Sequence, residues 1–172
     1  GNNDILFRGI TGPTTNNADF WMPHEVHCGF NFSSAAGVQV VVPLNGILTE
    51  HTATTNYTEY QTLIMPFDCI WAKVFVRSEG TRGVTWVNMH IVADGTEGES
   101  LGGGSNTEGD AVATLNMTSA NTVYSVGAIA TSGGSVLVAK GETIIFTFDP
   151  TADSNDTVMT FLFMMDPTTA LF

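Results

Sequence analysis

The segment His24-Glu-Val-His27-Cys28 gathers three possible metal ligands within five residues. Two imidazoles and a thiolate could hold a transition metal, but in a strand positions 24 and 27 point to opposite faces. Only a turn would bring them together, so these histidines are read as ordinary polar or packed side chains and no metal is expected. The loop Asp149-Pro-Thr-Ala-Asp153-Ser-Asn-Asp156 holds three carboxylates that could form an oxygen cage for calcium. It lacks the alternating Asp-x-Asp-x-Asp-Gly pattern, and Asp, Asn, Ser and Pro are also the standard turn formers, so a plain loop between two strands is expected. His51 and His90 stand alone in the sequence, with nothing to nominate a base or nucleophile for them to serve.

The motifs of several enzyme classes are missing. There is no Gly-x-Ser-x-Gly elbow, no phosphate-cradling Gly-x-x-x-x-Gly-Lys and no His-Glu-x-x-His, and Gly102-Gly103-Gly104 has no lysine after it. Glu97 and Glu99 fall in a glycine-rich stretch where positioning for acid-base work would be poor. A metal-holding jelly-roll enzyme of the cupin type would need a glycine-rich His-x-His segment, which this chain lacks. The expectation is a non-enzymatic protein without a cofactor.

Composition narrows the partners. Arg8, Lys73, Arg77, Arg82 and Lys140 are the only basic residues against 17 acidic ones, giving a net charge of -12. Phosphate backbones and anionic membranes are disfavoured, since both are bound mainly through Lys and Arg. No apolar run reaches the ~18 residues of a membrane-spanning helix, and residues 1–10 lack the basic and apolar regions of a signal peptide. With 172 residues and 43% hydrophobic content the chain fits one domain with a real core. Cys28 and Cys69 sit in apolar contexts and read as buried thiols, with a disulfide as the second reading.

The elements that must position any site are strands. Helical periodicity is nearly absent, and β-rich runs recur with Gly, Pro, Asn, Asp or Ser between them. Strands are expected at Val38–Leu44, Thr58–Met65, Ile70–Ser78, Val84–Ala93, Ala111–Met117, Thr122–Ala128, Val136–Ala139, Thr143–Asp149 and Thr157–Met165. Eight or nine such strands suffice for two sheets packed face to face. Alternation in Trp71–Arg77 puts Lys73, Phe75 and Arg77 on one face and Ala72, Val74 and Val76 on the other, so Phe75 is an outward aromatic between two cations that another subunit could cover. The last strand is apolar on both faces after Thr160, as in a central strand or a subunit interface, which makes Phe161, Phe163 and Met165 interface candidates beside Phe75.

Two segments break the rhythm. Gly95–Asp110 is acidic and glycine-rich and reads as an exposed loop. Residues 1–36 carry Phe7, Phe20, Trp21, Phe30 and Phe32 without strand alternation, more aromatic surface than a free tail should expose to water. They read as an arm (1–36) preceding the domain (37–172), packed on that domain or on a neighbouring protein.

The stretch from Gly141-Glu-Thr-Ile-Ile-Phe-Thr-Phe-Asp-Pro to Asp156-Thr-Val-Met-Thr-Phe-Leu-Phe-Met-Met-Asp resembles the tail of small jelly-roll virion proteins of tailed bacteriophages. The pair Phe-Val-Arg-Ser-Glu-Gly and Val-Asn-Met-His-Ile-Val-Ala-Asp-Gly within Ile70–Asp94 is similar to the middle of the same proteins, and the resemblance spans residues 37–166. It implies an all-β jelly-roll sandwich of the TNF- or C1q-like kind that assembles as a trimer in the virion after synthesis in the host cytoplasm. It further implies use as a capsid decoration (cement) protein, here docking on the shell through the aromatic arm, with the major capsid protein as partner. The alternative is a receptor- or glycan-binding knob of a tail fibre or spike, with Gly95–Asp110 and other exposed loops as its contact surface.

Overall fold

The computed structural model describes residues 21–31, 38–44, 62–92, 109–152, 156–166 and 169. All the regular structure among them is β. The strands are β1 (Met22–Asn31), β2 (Val40–Val41), β3 (Leu63–Ile64), β4 (Asp68–Ser78), β5 (Gly83–Val92), β6 (Ala111–Met117), β7 (Val123–Gly127), β8 (Ile129–Ala130), β9 (Leu137–Val138), β10 (Thr143–Pro150) and β11 (Asp156–Asp166).

They form two antiparallel sheets. Sheet A has the order β1-β11-β4-β7, with β9 also paired to β4; sheet B has the order β2-β10-β5-β6-β8, with β3 also paired to β10. The pairings nest along the chain: β1 with β11, β2 and β3 with β10, β4 with β7 and β9, and β5 with β6. The result is an all-β sandwich. Each described segment expected as a strand contains one, while residues 58–61 and 93, expected as strand ends, lie outside the described residues.

The inward faces of the two sheets make one core. Phe146 of β10 stacks on Phe161 of β11 with ring centroids 3.9 Å apart, and Trp71 of β4 meets Phe146 edge-on at 5.0 Å. Phe163 and Phe148 extend the layer, Phe148 against Phe30 of β1 at 6.2 Å. Each such ring pair adds about 0.5–1.5 kcal/mol beyond area burial.

A bulge sets which side chains reach this core. Along β11, Leu162 pairs with Lys73 but the next residue, Phe163, pairs with Trp71, so Ala72 is an extra residue in β4. The insertion shifts the alternation by one. Trp71 and Val74 therefore both point inward, while Lys73, Phe75 and Arg77 keep the outward face expected of them.

Two expectations change against this frame. Residues 22–31, read as part of an arm without alternation, are a full strand of sheet A in unbroken ten-residue register with β11. Val26, Cys28 and Phe30 alternate inward onto the core, so the sandwich begins well before residue 37. β11 is also the central strand, between β1 and β4, and Phe161, Phe163 and Met165 point into the chain's own core at 0%, 0% and 4% exposure. A ring stacked inside the sandwich has no face left for a partner, so of the four interface candidates only Phe75 lies on an outer surface.

Candidate functional site

The two outer faces of the sandwich differ in part. On sheet B the outward Val84, Trp86, Thr114 and Asn116 are exposed or half-buried, but Val41, Val92, Val112 and Ile145 are buried, and so are the polar Gln39, Asn88, His90, Thr147 and Asp149. On sheet A the outward face holds Glu25 and His27 of β1, Val158, Thr160 and Leu162 of β11, Lys73, Phe75 and Arg77 of β4, and Val123 and Ser125 of β7. All of these are exposed or half-buried; Val158 and Val123 retain 50% and 62% of their surface.

Registers order the sheet A face into rows across the strands. Glu25, Leu162 and Lys73 form one row; His27, Thr160 and Phe75 the next; Gly29, Val158 and Arg77 the third. Lys73 Nζ lies 5.2 Å from the centre of the Phe75 ring, a cation over an aromatic face. Arg77 is held by donating to Asn121, from Nε to the carbonyl oxygen at 3.3 Å and from Nη2 to Oδ1 at 3.0 Å. Asn121 can offer both because it takes the left-handed turn conformation at φ 57°. On the opposite flank His27 Nε2 lies 3.4 Å from Glu25, and its Nδ1 is 2.9 Å from Thr160 Oγ1. Lys73 and Arg77 are thus the only described cations on either broad face that remain accessible, since Arg82 is fully buried and Lys140 sits in the turn before β10.

Sheet B carries a buried polar chain. Gln39 Nε2 donates to Thr147 Oγ1 at 3.0 Å, and His90 Nε2 is 3.0 Å from the same oxygen. Burial pushes the His90 pKa down to about 4, so the ring is neutral at physiological pH. A threonine hydroxyl that accepts from Gln39 Nε2 and donates to His90 Nε2 satisfies those three atoms and leaves the histidine proton on Nδ1. Gln39 Oε1 has no partner there. In the sequence His90 stands alone within the expected strand Val84–Ala93; Thr147 arrives through the β10 ladder, where Asn88 pairs with Thr147 and His90 with Ile145.

A second buried polar group lies at one end of the sandwich. The Arg82 side chain is fully buried in the β4–β5 connection, where its Nη2 donates to Ser78 Oγ and, at 3.0 Å, to Thr157 Oγ1. Nothing in the local sequence marked this arginine as internal.

The remaining candidates are dispersed. His24 and His27 lie on opposite faces of β1, as strand geometry requires, and no group of three His, Cys, Asp or Glu that could hold a metal occurs among the described residues. Asp149 lies on the outer side of sheet B, Asp156 begins β11 in sheet A, and Asp153 is outside the described residues. His51, Phe7, Phe20, Phe32 and residues 95–108 are also outside them; Trp21 is half-buried just before β1.

Cys28 pairs across the ladder with Met159, and Cys69 with Met165. Six residues of one strand separate those partners, about 20 Å, whereas a disulfide needs Cα atoms within roughly 7 Å. Both thiols are free. Desolvation pushes each pKa up to about 12, with Asp68 and Glu142 adding to the effect at Cys69. Native protein should therefore give almost no reaction with a thiol reagent at neutral pH and two equivalents after denaturation. Rapid labelling of the native state would contradict the burial.

No family model matches the chain, and no curated protein matches it.

Proposed function

We propose that this chain is a non-enzymatic virion structural protein, a decoration subunit that assembles with copies of itself and docks on a capsid shell. The observation that supports it most is the nesting of strand pairs, first with last and second with second-last, around a sandwich core. Such nesting supports a jelly-roll reading of the sandwich, and a jelly roll is what the resemblance of residues 37–166 implies.

The acidic composition and the accessible cation-aromatic face of sheet A fit a subunit whose contacts are few and specific. Trimerisation and the use of the N-terminal aromatics as the docking element belong to the same proposal. Because β1 carries Phe30 into the core, removing residues 1–36 would break the sandwich, so the docking test is confined to residues 1–20. Purified protein should bind shells stripped of decoration. A chain lacking residues 1–20 should keep the β circular-dichroism signature and lose at least about tenfold in shell affinity, about 1.4 kcal/mol. Full-length protein that ignores shells but adheres to host cells or glycans would overturn the reading in favour of the receptor-binding knob.

A further inference from the structure

We infer that β1 is a two-fold contact, in which its outer edge pairs antiparallel with β1 of a second copy. The axis passes through Val26 perpendicular to sheet A, so that sheet A runs on from one chain into the next. The inference needs a second copy of this chain and takes nothing else from the decoration reading. Three observations carry it.

The first is the edge itself. β1 is ten residues long, ends the order of sheet A and, among the described residues, pairs only with β11. A long strand at the end of a sheet is a template for a further strand, through the backbone N–H and C=O groups on its second side. Pro23, which has no N–H to give, fits a strand paired on one side.

The second is that β1 has a closed half and an open half. Its core-side residues run from Phe30, at 4% exposure, through half-buried Cys28 and Val26 to exposed His24 and Met22, the last at 43%. Antiparallel pairing about Val26 sets Met22 beside Phe30 of the other copy and His24 beside its Cys28. Each open half then lies along the other's closed half, whereas a parallel pairing would lay open half against open half.

The third is the fit of the outward side chains. Both cores lie on the same side of the shared sheet, so the axis passes through a residue and not between two. Through Glu25 it would oppose two carboxylates, and through His27 two imidazoles; axes further along shorten the ladder. Through Val26 it opposes two like apolar groups and places Glu25 of each copy across from His27 of the other. Within one chain His27 Nε2 already lies 3.4 Å from Glu25. The contact therefore builds a square in which carboxylates and imidazoles alternate, with like groups only across the diagonals.

The outward carboxylates of β11 stay apart. Asp156 stands beside Asn31 at one end of β1 and Asp166 lies just past the Met22 row at the other. Asp156 of one copy and Asp166 of the other are thus separated by three strand spacings, about 14 Å, beyond the Debye length of about 8 Å at physiological salt. Pro23 falls opposite Gly29 near the end of the ladder, where its missing N–H costs at most one bond in each half. One strand edge on another is a small contact, so association should depend on concentration.

The test uses the full chain, with analytical ultracentrifugation for association and circular dichroism for folding. Wild type should contain species of an even number of 18.3 kDa chains. His27→Glu, which sets carboxylate against carboxylate twice per contact, should weaken that association at least about tenfold, and adding Glu25→Lys should restore it to within about threefold of wild type. Register is read by mixing a Glu25→Cys chain with a His27→Cys chain under mild oxidation. The two positions face each other between copies, within the roughly 7 Å that a disulfide allows, whereas each faces its own kind only diagonally. The mixture should therefore give at least about fivefold more disulfide-linked dimer than either chain alone. The inference is overturned by a wild type that stays monomeric at high concentration, by association that His27→Glu leaves unchanged, by a folded His27→Glu variant that Glu25→Lys does not rescue, or by a mixture that links no better than its components. Failure to bind shells would sink the decoration reading and leave this contact standing.

Discussion

Replacing Phe161 with alanine should lower the unfolding free energy by about 3–5 kcal/mol, the range for deleting a fully enclosed ring. The ring is stacked at 3.9 Å on Phe146, lies 6.3 Å from Trp71 and has no exposed surface. Neighbouring side chains held in a rigid two-sheet core cannot close over the space it leaves. A chain of this size has on the order of 5–15 kcal/mol in all, so the variant would lose about a fifth of its margin or more. The outward neighbour Leu162 is half-buried, and Leu162→Ala should cost about 1 kcal/mol or less. Urea unfolding of both variants separates the two faces of one strand. A small loss for Phe161→Ala, with the larger loss in self-association, would mean that β11 had been placed inside out.

Acid should destabilise the protein through His90. The folded pKa of about 4 lies below the ordinary 6.5, so the folded chain binds the proton less readily than the unfolded one. The stability tied to the neutral ring is complete above about pH 6.5 and is lost as pH falls through that window toward about 4. A shift of this size corresponds to about 3 kcal/mol. Between about pH 7.5 and about pH 4, wild type should lose about 3 kcal/mol more than His90→Gln, which keeps a polar group near Thr147 but cannot gain that proton. Carboxylate protonation is common to both chains and cancels in the difference. Equal acid sensitivity of the two proteins would show that His90 is hydrated rather than enclosed.

Much of the fold was legible in the chain because alternation and turn residues act locally. Ala111–Met117 was readable to the residue, with Ala113, Leu115 and Met117 alternating with the polar Thr114 and Asn116. β1 was not, because Pro23, His24, Glu25, His27 and Gly29 dilute the pattern to three inward residues, Val26, Cys28 and Phe30. What makes it a strand is β11, more than a hundred residues away. The Ala72 bulge was equally hidden. An extra residue leaves no local mark, and it changes the side on which Trp71 falls.

The surfaces divide the same way. The outward set Lys73, Phe75 and Arg77 followed from spacing alone, but its companions Glu25 and His27 came only with β1. The apolar end of β11 was compatible with a core or an interface, and only the position between β1 and β4 assigns Phe161, Phe163 and Met165 to the core. The burial of Arg82, Gln39 and His90 depends on which distant strands cover them, information that periodicity does not hold.

The decoration proposal is tested most directly by electron microscopy of the parent particle with this chain specifically labelled. Label is expected in a regular array on the outer shell, at sites that are vacant in particles lacking the protein. Label confined to a tail tip or spike, or absent from the particle altogether, would contradict it.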